Sequence, residues 1–133
     1  MKSVLIGTTT LILILFLSSC TPRIPFNPSS VVPAAEGYVK IKTDKNLNYQ
    51  IQINVSNLAD VYRLKPRAYT YVAWIVTEQD SLKNIGGLIT SNNLSVVLKT
   101  VSSFKPVQVM ITAEEDAEVQ NPMGEIVLTT EIF

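Results

Sequence analysis

One thiol, no imidazole and a single run of carboxylates make up most of the chemistry that this chain of 133 residues can offer. The thiol is Cys20, and the absence of a second cysteine rules out an internal disulfide. With no histidine anywhere, zinc and copper sites built on His or Cys are excluded, as are Ser-His and Cys-His nucleophile pairs. The carboxylates are Glu114, Glu115, Asp116 and Glu118. Four acids in five residues could in principle hold Ca²⁺, but calcium loops space their oxygens more widely and include a glycine for the bend, and this one has none. A solvated hairpin loop is the better reading, and no opposing acid or pocket makes it a general acid/base pair. The sequence therefore points to no catalytic set, no metal and no cofactor.

Cys20 ends Leu17-Ser18-Ser19-Cys20, and the segment before it shows what the thiol is for. Lys2 gives a positive start, residues 11–17 an apolar stretch of seven, and Ser18-Ser19 small residues ahead of a cleavage point. That is the anatomy of a secretory signal. A bilayer-spanning helix needs about 20 apolar residues, which this stretch does not reach. The motif resembles the lipobox of a bacterial lipoprotein, in which Leu17, Ser18 and Ser19 guide cleavage before Cys20. The resemblance implies a diacylglycerol on the Cys20 thiol, an N-acyl chain such as palmitate on the new amino terminus, and loss of residues 1–19. Two or more acyl chains hold a protein firmly, where one holds it marginally. Thr21 is not the Asp that commonly retains such proteins in the inner membrane, so the implied address is the outer membrane of the cell envelope.

Without residues 1–19 the formal charge balance is ten basic against eleven acidic side chains, since only Lys2 is lost. No basic stripe in the sequence suits nucleic acid, and no polybasic segment suits anionic lipid. Residues 20–35 read as a lipidated Cys followed by a tether. Pro22, Pro25, Pro28 and Pro33 disfavour helix and sheet there. Extended at about 3.1 Å per residue, the tether would reach ~45 Å. A loosely packed arm is the alternative, because Ile24, Phe26, Val31 and Val32 are apolar.

Residues 36–133 carry one domain with strand periodicity nearly throughout. Tyr49, Ile51, Ile53 and Val55 alternate with amides, and Val39-Lys40-Ile41-Lys42 alternates likewise across a polar turn at 44–48. Residues 69–76 are apolar at both parities, as in a central strand whose outer face is also partly covered. Runs at 85–89, 94–98, 107–111 and 126–132 complete about seven strands. The fold class is all-β, a sandwich. A helical turn is expected only at 57–65, where Pro66 stops it.

Order and spacing of several motifs resemble the extracytoplasmic C-terminal domain of anti-sigma-K factors. They are Val55-x-Asn57-Leu58, Tyr71-x-x-Trp74, Ile85-Gly86, Thr112-x-Glu114 and Pro122-x-Gly124 ahead of Ile126-Val127-Leu128. The resemblance implies an immunoglobulin-like sandwich and gives Tyr71, Trp74, Gly86, Thr112, Glu114, Pro122 and Gly124 a structural role. The family's cytoplasmic helical domain and transmembrane helix have no counterpart here, so no sigma factor is expected as a partner.

Physical readings stand beside these motifs. Trp74 is expected to plug the core between the sheets, ahead of stacking on a sugar with Tyr62, Tyr69 and Tyr71. Gly86-Gly87 suggests a bulge or close backbone approach, and Asn121-Pro122-Met123-Gly124 a tight turn. Asp80-Ser81-Leu82 resembles a bacterial O-glycosylation signal. The function expected is that of a non-enzymatic, membrane-anchored binding, sensing or accessory module whose partner is another envelope protein or a glycan. Alternatives are a structural lipoprotein that self-assembles through a strand edge and, further off, a glycan-binding module or hydrolase.

Overall fold

A computed structural model describes residues 21–91 and 93–133; Leu17, Ser18, Ser19 and Cys20, with the signal segment, lie outside these residues. Eight strands follow in chain order: β1 (Ile24–Pro25), β2 (Glu36–Thr43), β3 (Tyr49–Ser56), β4 (Thr70–Thr77), β5 (Leu82–Leu88), β6 (Val96–Ser102), β7 (Pro106–Glu114) and β8 (Glu125–Thr129). They form two antiparallel four-stranded sheets, ordered β1-β2-β3-β6 and β5-β4-β7-β8. Setting β1 aside, this is the A-B-E and C′-C-F-G arrangement of an immunoglobulin-like sandwich.

Alternation explains which residues meet. In β3 the side chains of Ile51, Ile53 and Val55 are buried, and opposite them across the sandwich lie Tyr71, Ala73 and Ile75 of β4 with Val109 and Ile111 of β7. Burying each such aliphatic side chain contributes about 1.5–3 kcal/mol. The turns are built by side chains that capture backbone N–H groups. Asp44 accepts from Asn46 N at 2.8 Å and Asn48 N at 2.9 Å, which closes the β2–β3 hairpin and lets Leu47 take a φ of 62°. Ser102 accepts from Phe104 N at 3.0 Å ahead of β7. The expected helical turn at 57–65 is a single 3₁₀ turn, Val61–Arg63, capped by the Asp60 carboxylate on Tyr62 N at 3.0 Å.

The eighth strand comes from the segment read as a tether. Ile24 pairs with Val39 and Pro25 with Tyr38, after which Phe26 bridges Thr130 of the other sheet. Phe26, Val32 and Ala35 are buried in the main core. From Ile24 onward the stretch is thus an edge strand and an arm packed into the core, more firmly held than either the tether or the loosely packed arm expected for it, and packing starts well before residue 36. Pro25 is admissible because β1 is an edge strand and needs no second partner. The prolines that suggest a free linker instead stiffen an arm whose apolar side chains find a crevice.

Candidate functional site

Four of the motif residues meet in one buried hydrogen-bonded chain. The Trp74 indole N–H donates to Thr112 Oγ1 at 2.8 Å, and the Thr112 hydroxyl donates to Glu114 Oε1 at 2.7 Å. Glu114 Oε2 accepts from Gly124 N at 2.9 Å, and both carboxylate oxygens accept from Met123 N, at 3.1 and 3.2 Å. β4 and β7 are neighbours, with Val72 opposite Thr112, so the alternation of each strand delivers these side chains to one face.

That face is the outer one. Trp74 is fully buried, but with Val72, Met110 and Val119, not between the sheets. The expectation that it plugs the inter-sheet core is corrected here. Parity decides it: Tyr71, Ala73 and Ile75 take the inward positions of β4, which leaves Val72 and Trp74 outward. Burial follows because the β7–β8 loop, residues 115–124, folds back over them. Asn84 of β5 holds that loop, donating to Ala117 O at 2.8 Å and Val119 O at 2.9 Å. Glu114 holds its far end, so Asn121-Pro122-Met123-Gly124 is a bend closed by a carboxylate. Gly124 is required there, since a Cβ would overlap the Ala113 carbonyl.

The acidic run divides accordingly. Glu114 is 2% exposed and is a structural acceptor, whereas Glu115, Asp116 and Glu118 are exposed as expected of a solvated loop. Among the described residues no group of three or more Cys, Asp or Glu side chains converges to hold a metal. Gly86, at φ 140°, sits where the β4–β5 register slips, a β-bulge. Tyr71 lies inward, its hydroxyl donating to Ala59 O at 2.5 Å, and burial, then the nearby Asp60 carboxylate, pushes its pKa up to about 12. Neither Trp74 nor Tyr71 can stack on a ligand.

The exposed aromatics are elsewhere. Tyr62 and Tyr69, each 53% exposed, meet edge to face at 6.0 Å in the β3–β4 loop. The Arg67 guanidinium lies 5.6 and 5.8 Å from their ring centres, a cation–π arrangement. This loop and the acidic β7–β8 loop occupy the same end of the sandwich, since Thr70 at the start of β4 pairs with Glu114.

A second surface is assembled by register. Tyr38, Lys40 and Lys42 of β2 face outward beside Asn54, Gln52 and Gln50 of β3 and Val97, Lys99 and Val101 of β6. One row reads Lys40, Gln52, Lys99. A hollow of about 410 Å³ is lined by Thr21, Lys40, Lys42, Gln50 and Lys99, with no carboxylate among its lining residues. The Arg23 guanidinium stands 4.3 Å over the Tyr38 ring beside it. The reading of the charges in sequence order missed this face, because residues 23, 40, 42 and 99 are brought together only by strand pairing. The outward parity of Lys40 and Lys42 was the available signal.

Among the described residues no helix is long and apolar enough to cross a membrane. No family model, no curated protein and no solved structure matches the chain.

Proposed function

We propose that the protein is a lipoprotein of the cell envelope, acylated on Cys20, whose sandwich recognises a partner protein or glycan and performs no chemistry. The observation that carries this reading is polarity of the fold. The chain enters at Thr21, beside Lys42 and the β2–β3 turn, while the exposed Tyr62, Arg67 and Tyr69 lie in a loop at the opposite end. An anchor at Cys20 leaves that loop end a strand's length away from the acylated residue. Loops at one end of a sandwich are a common seat for binding, and exposed Tyr and Arg are the side chains that dominate interfaces.

The lipobox-like motif and Thr21 support an outer-membrane address with the domain on the extracytoplasmic side. The likeness to the anti-sigma-K domain supports an envelope-sensing or accessory role without a sigma factor. Recognition through loops is favoured over self-assembly at a strand edge by Lys99 on edge strand β6 and the bulge at Gly86 on edge strand β5, both features that discourage edge pairing.

Photo-crosslinking from position 69 in intact cells tests the reading. A foreign envelope protein or glycan should be captured, and capture should fall at least ten-fold in a Tyr62→Ala, Arg67→Ala variant. Capture of the protein's own copies alone would replace it with the self-assembly reading. Cys20→Ser should abolish acylation and processing, and a variant still found in the detergent phase at mature mass would refute the anchor.

A further inference from the structure

Resting on the acylation of Cys20, we propose that the outer face of β2-β3-β6 lies on the anionic headgroups of the membrane that holds the anchor. The first ground is where the chain enters. Thr21 itself lines the hollow formed by Lys40, Lys42, Gln50 and Lys99. The acylated residue is the next one along the chain, and successive Cα atoms are about 3.8 Å apart. The acyl chains therefore start beside the lysines, and strand pairing from Ile24 leaves no length for the domain to stand off.

Charge is the second ground. Among the described residues the only ion pair is Lys105 with Glu78, so no carboxylate pairs with Arg23, Lys40, Lys42 or Lys99, while Arg23 and Lys40 lie over the Tyr38 ring. Lys40 and Lys99 flank Gln52 across two strand spacings, about 10 Å. The result is a flat array of N–H donors of the kind that a plane of phosphates accepts. Glu115, Asp116, Glu118 and Glu125 sit with the loops at the far end. Toward Lys42 the outer face of β2-β3-β6 carries cations alone, its carboxylate Glu36 lying at the other end of β2. Each cation held at an anionic surface raises the local association roughly five-fold, and the effect is screened by salt.

The test uses the full acylated chain in vesicles of phosphatidylcholine alone or mixed with phosphatidylglycerol, read by lysine acetylation and mass spectrometry. Labelling of Lys40, Lys42 and Lys99 should fall several-fold in the anionic vesicles, recover at high salt, and stay unchanged at Lys65. Energy transfer from Trp74, the only tryptophan, to a headgroup dye should rise with phosphatidylglycerol in the parent. It should not rise in a K40Q/K42Q/K99Q variant, whose changes are all on the outer face and leave the core intact. Equal labelling in both vesicles, with the chain in the vesicle pellet, overturns the proposal and leaves the anchor standing. A chain that stays in the supernatant at either composition overturns both. Protection of the lysines by a soluble acidic polysaccharide but not by anionic vesicles overturns it in favour of a glycan ligand.

Discussion

Replacing Glu114 by glutamine changes one carboxylate oxygen into an amide nitrogen and keeps the shape. In the native fold both oxygens accept: Oε1 from the Thr112 hydroxyl at 2.7 Å, Oε2 from Gly124 N at 2.9 Å, with Met123 N shared between them. If the amide nitrogen replaces Oε2 it meets the Gly124 N–H, donor against donor. If it replaces Oε1, Thr112 must turn its proton away although its oxygen already accepts from Trp74. Either orientation strands a donor, at about 1–3 kcal/mol, and the remaining bonds lose their ionic assistance. The expected cost is ~2–4 kcal/mol, a large share of a typical domain's 5–15 kcal/mol. Because the chain has one tryptophan, its emission reports on this site alone. Glu114→Gln should lower the urea midpoint by about 1–2 M and shift Trp74 emission to the red as the loop lifts. An unchanged midpoint, with Trp74 still shielded from acrylamide, would refute the assignment of Glu114 as the loop's fastener.

Four further outcomes follow from the same geometry. Tyr71 has its pKa raised from 10.0 to about 12, so its proton is held more tightly in the folded state. The stability this gives is fully present below pH 10 and is lost as pH climbs from 10 to 12. The loss should be about 2 kcal/mol, read as a fall in the parent's unfolding free energy that Tyr71→Phe does not show. Phe26→Ala should cost about 3 kcal/mol in urea unfolding because the side chain fills the core; a free tether would show no change. Gly124→Ala should cost about 3 kcal/mol or more, since the new methyl group collides with the Ala113 carbonyl. Gly86→Ala, where space exists next to Leu98 but φ is 140°, should cost about 1–2 kcal/mol through backbone strain alone. Circular dichroism at matched temperatures separates the two.

Strands were legible wherever one face is wet. Tyr49 to Val55 alternate because their amides meet water and their aliphatics meet the core, and the hairpin turn at Asp44 carries its own capping acid. Legibility fails where burial comes from distant chain. Nothing in the Pro-rich composition of residues 21–35 says that Phe26 reaches a crevice beside Thr130. The doubly apolar run of β4 revealed that both its faces are covered but not which cover is which, so Trp74 went to the wrong side. Thr112-x-Glu114 was visible as a motif, yet its purpose depends on a loop returning to within 2.9 Å of a carboxylate. The lysine face needed the register of three strands.

The short strand β1 gives the fold a mechanical property. Any tension applied through Cys20 enters at residues 21–23 and falls first on the two-residue ladder Ile24–Pro25 and the single bridge at Phe26. Those few bonds break one after another, like the teeth of a zip, before the long ladders of the sandwich feel the load. Once they part, the fifteen residues 21–35, about 50 Å long when extended but docked over the ~20 Å from Lys42 to Glu36, can pay out about 30 Å of slack. In a pulling experiment from Cys20 a small early step of that length should precede the main rupture, so that a domain held by the proposed anchor would sit close to its lipid at rest and gain reach under strain.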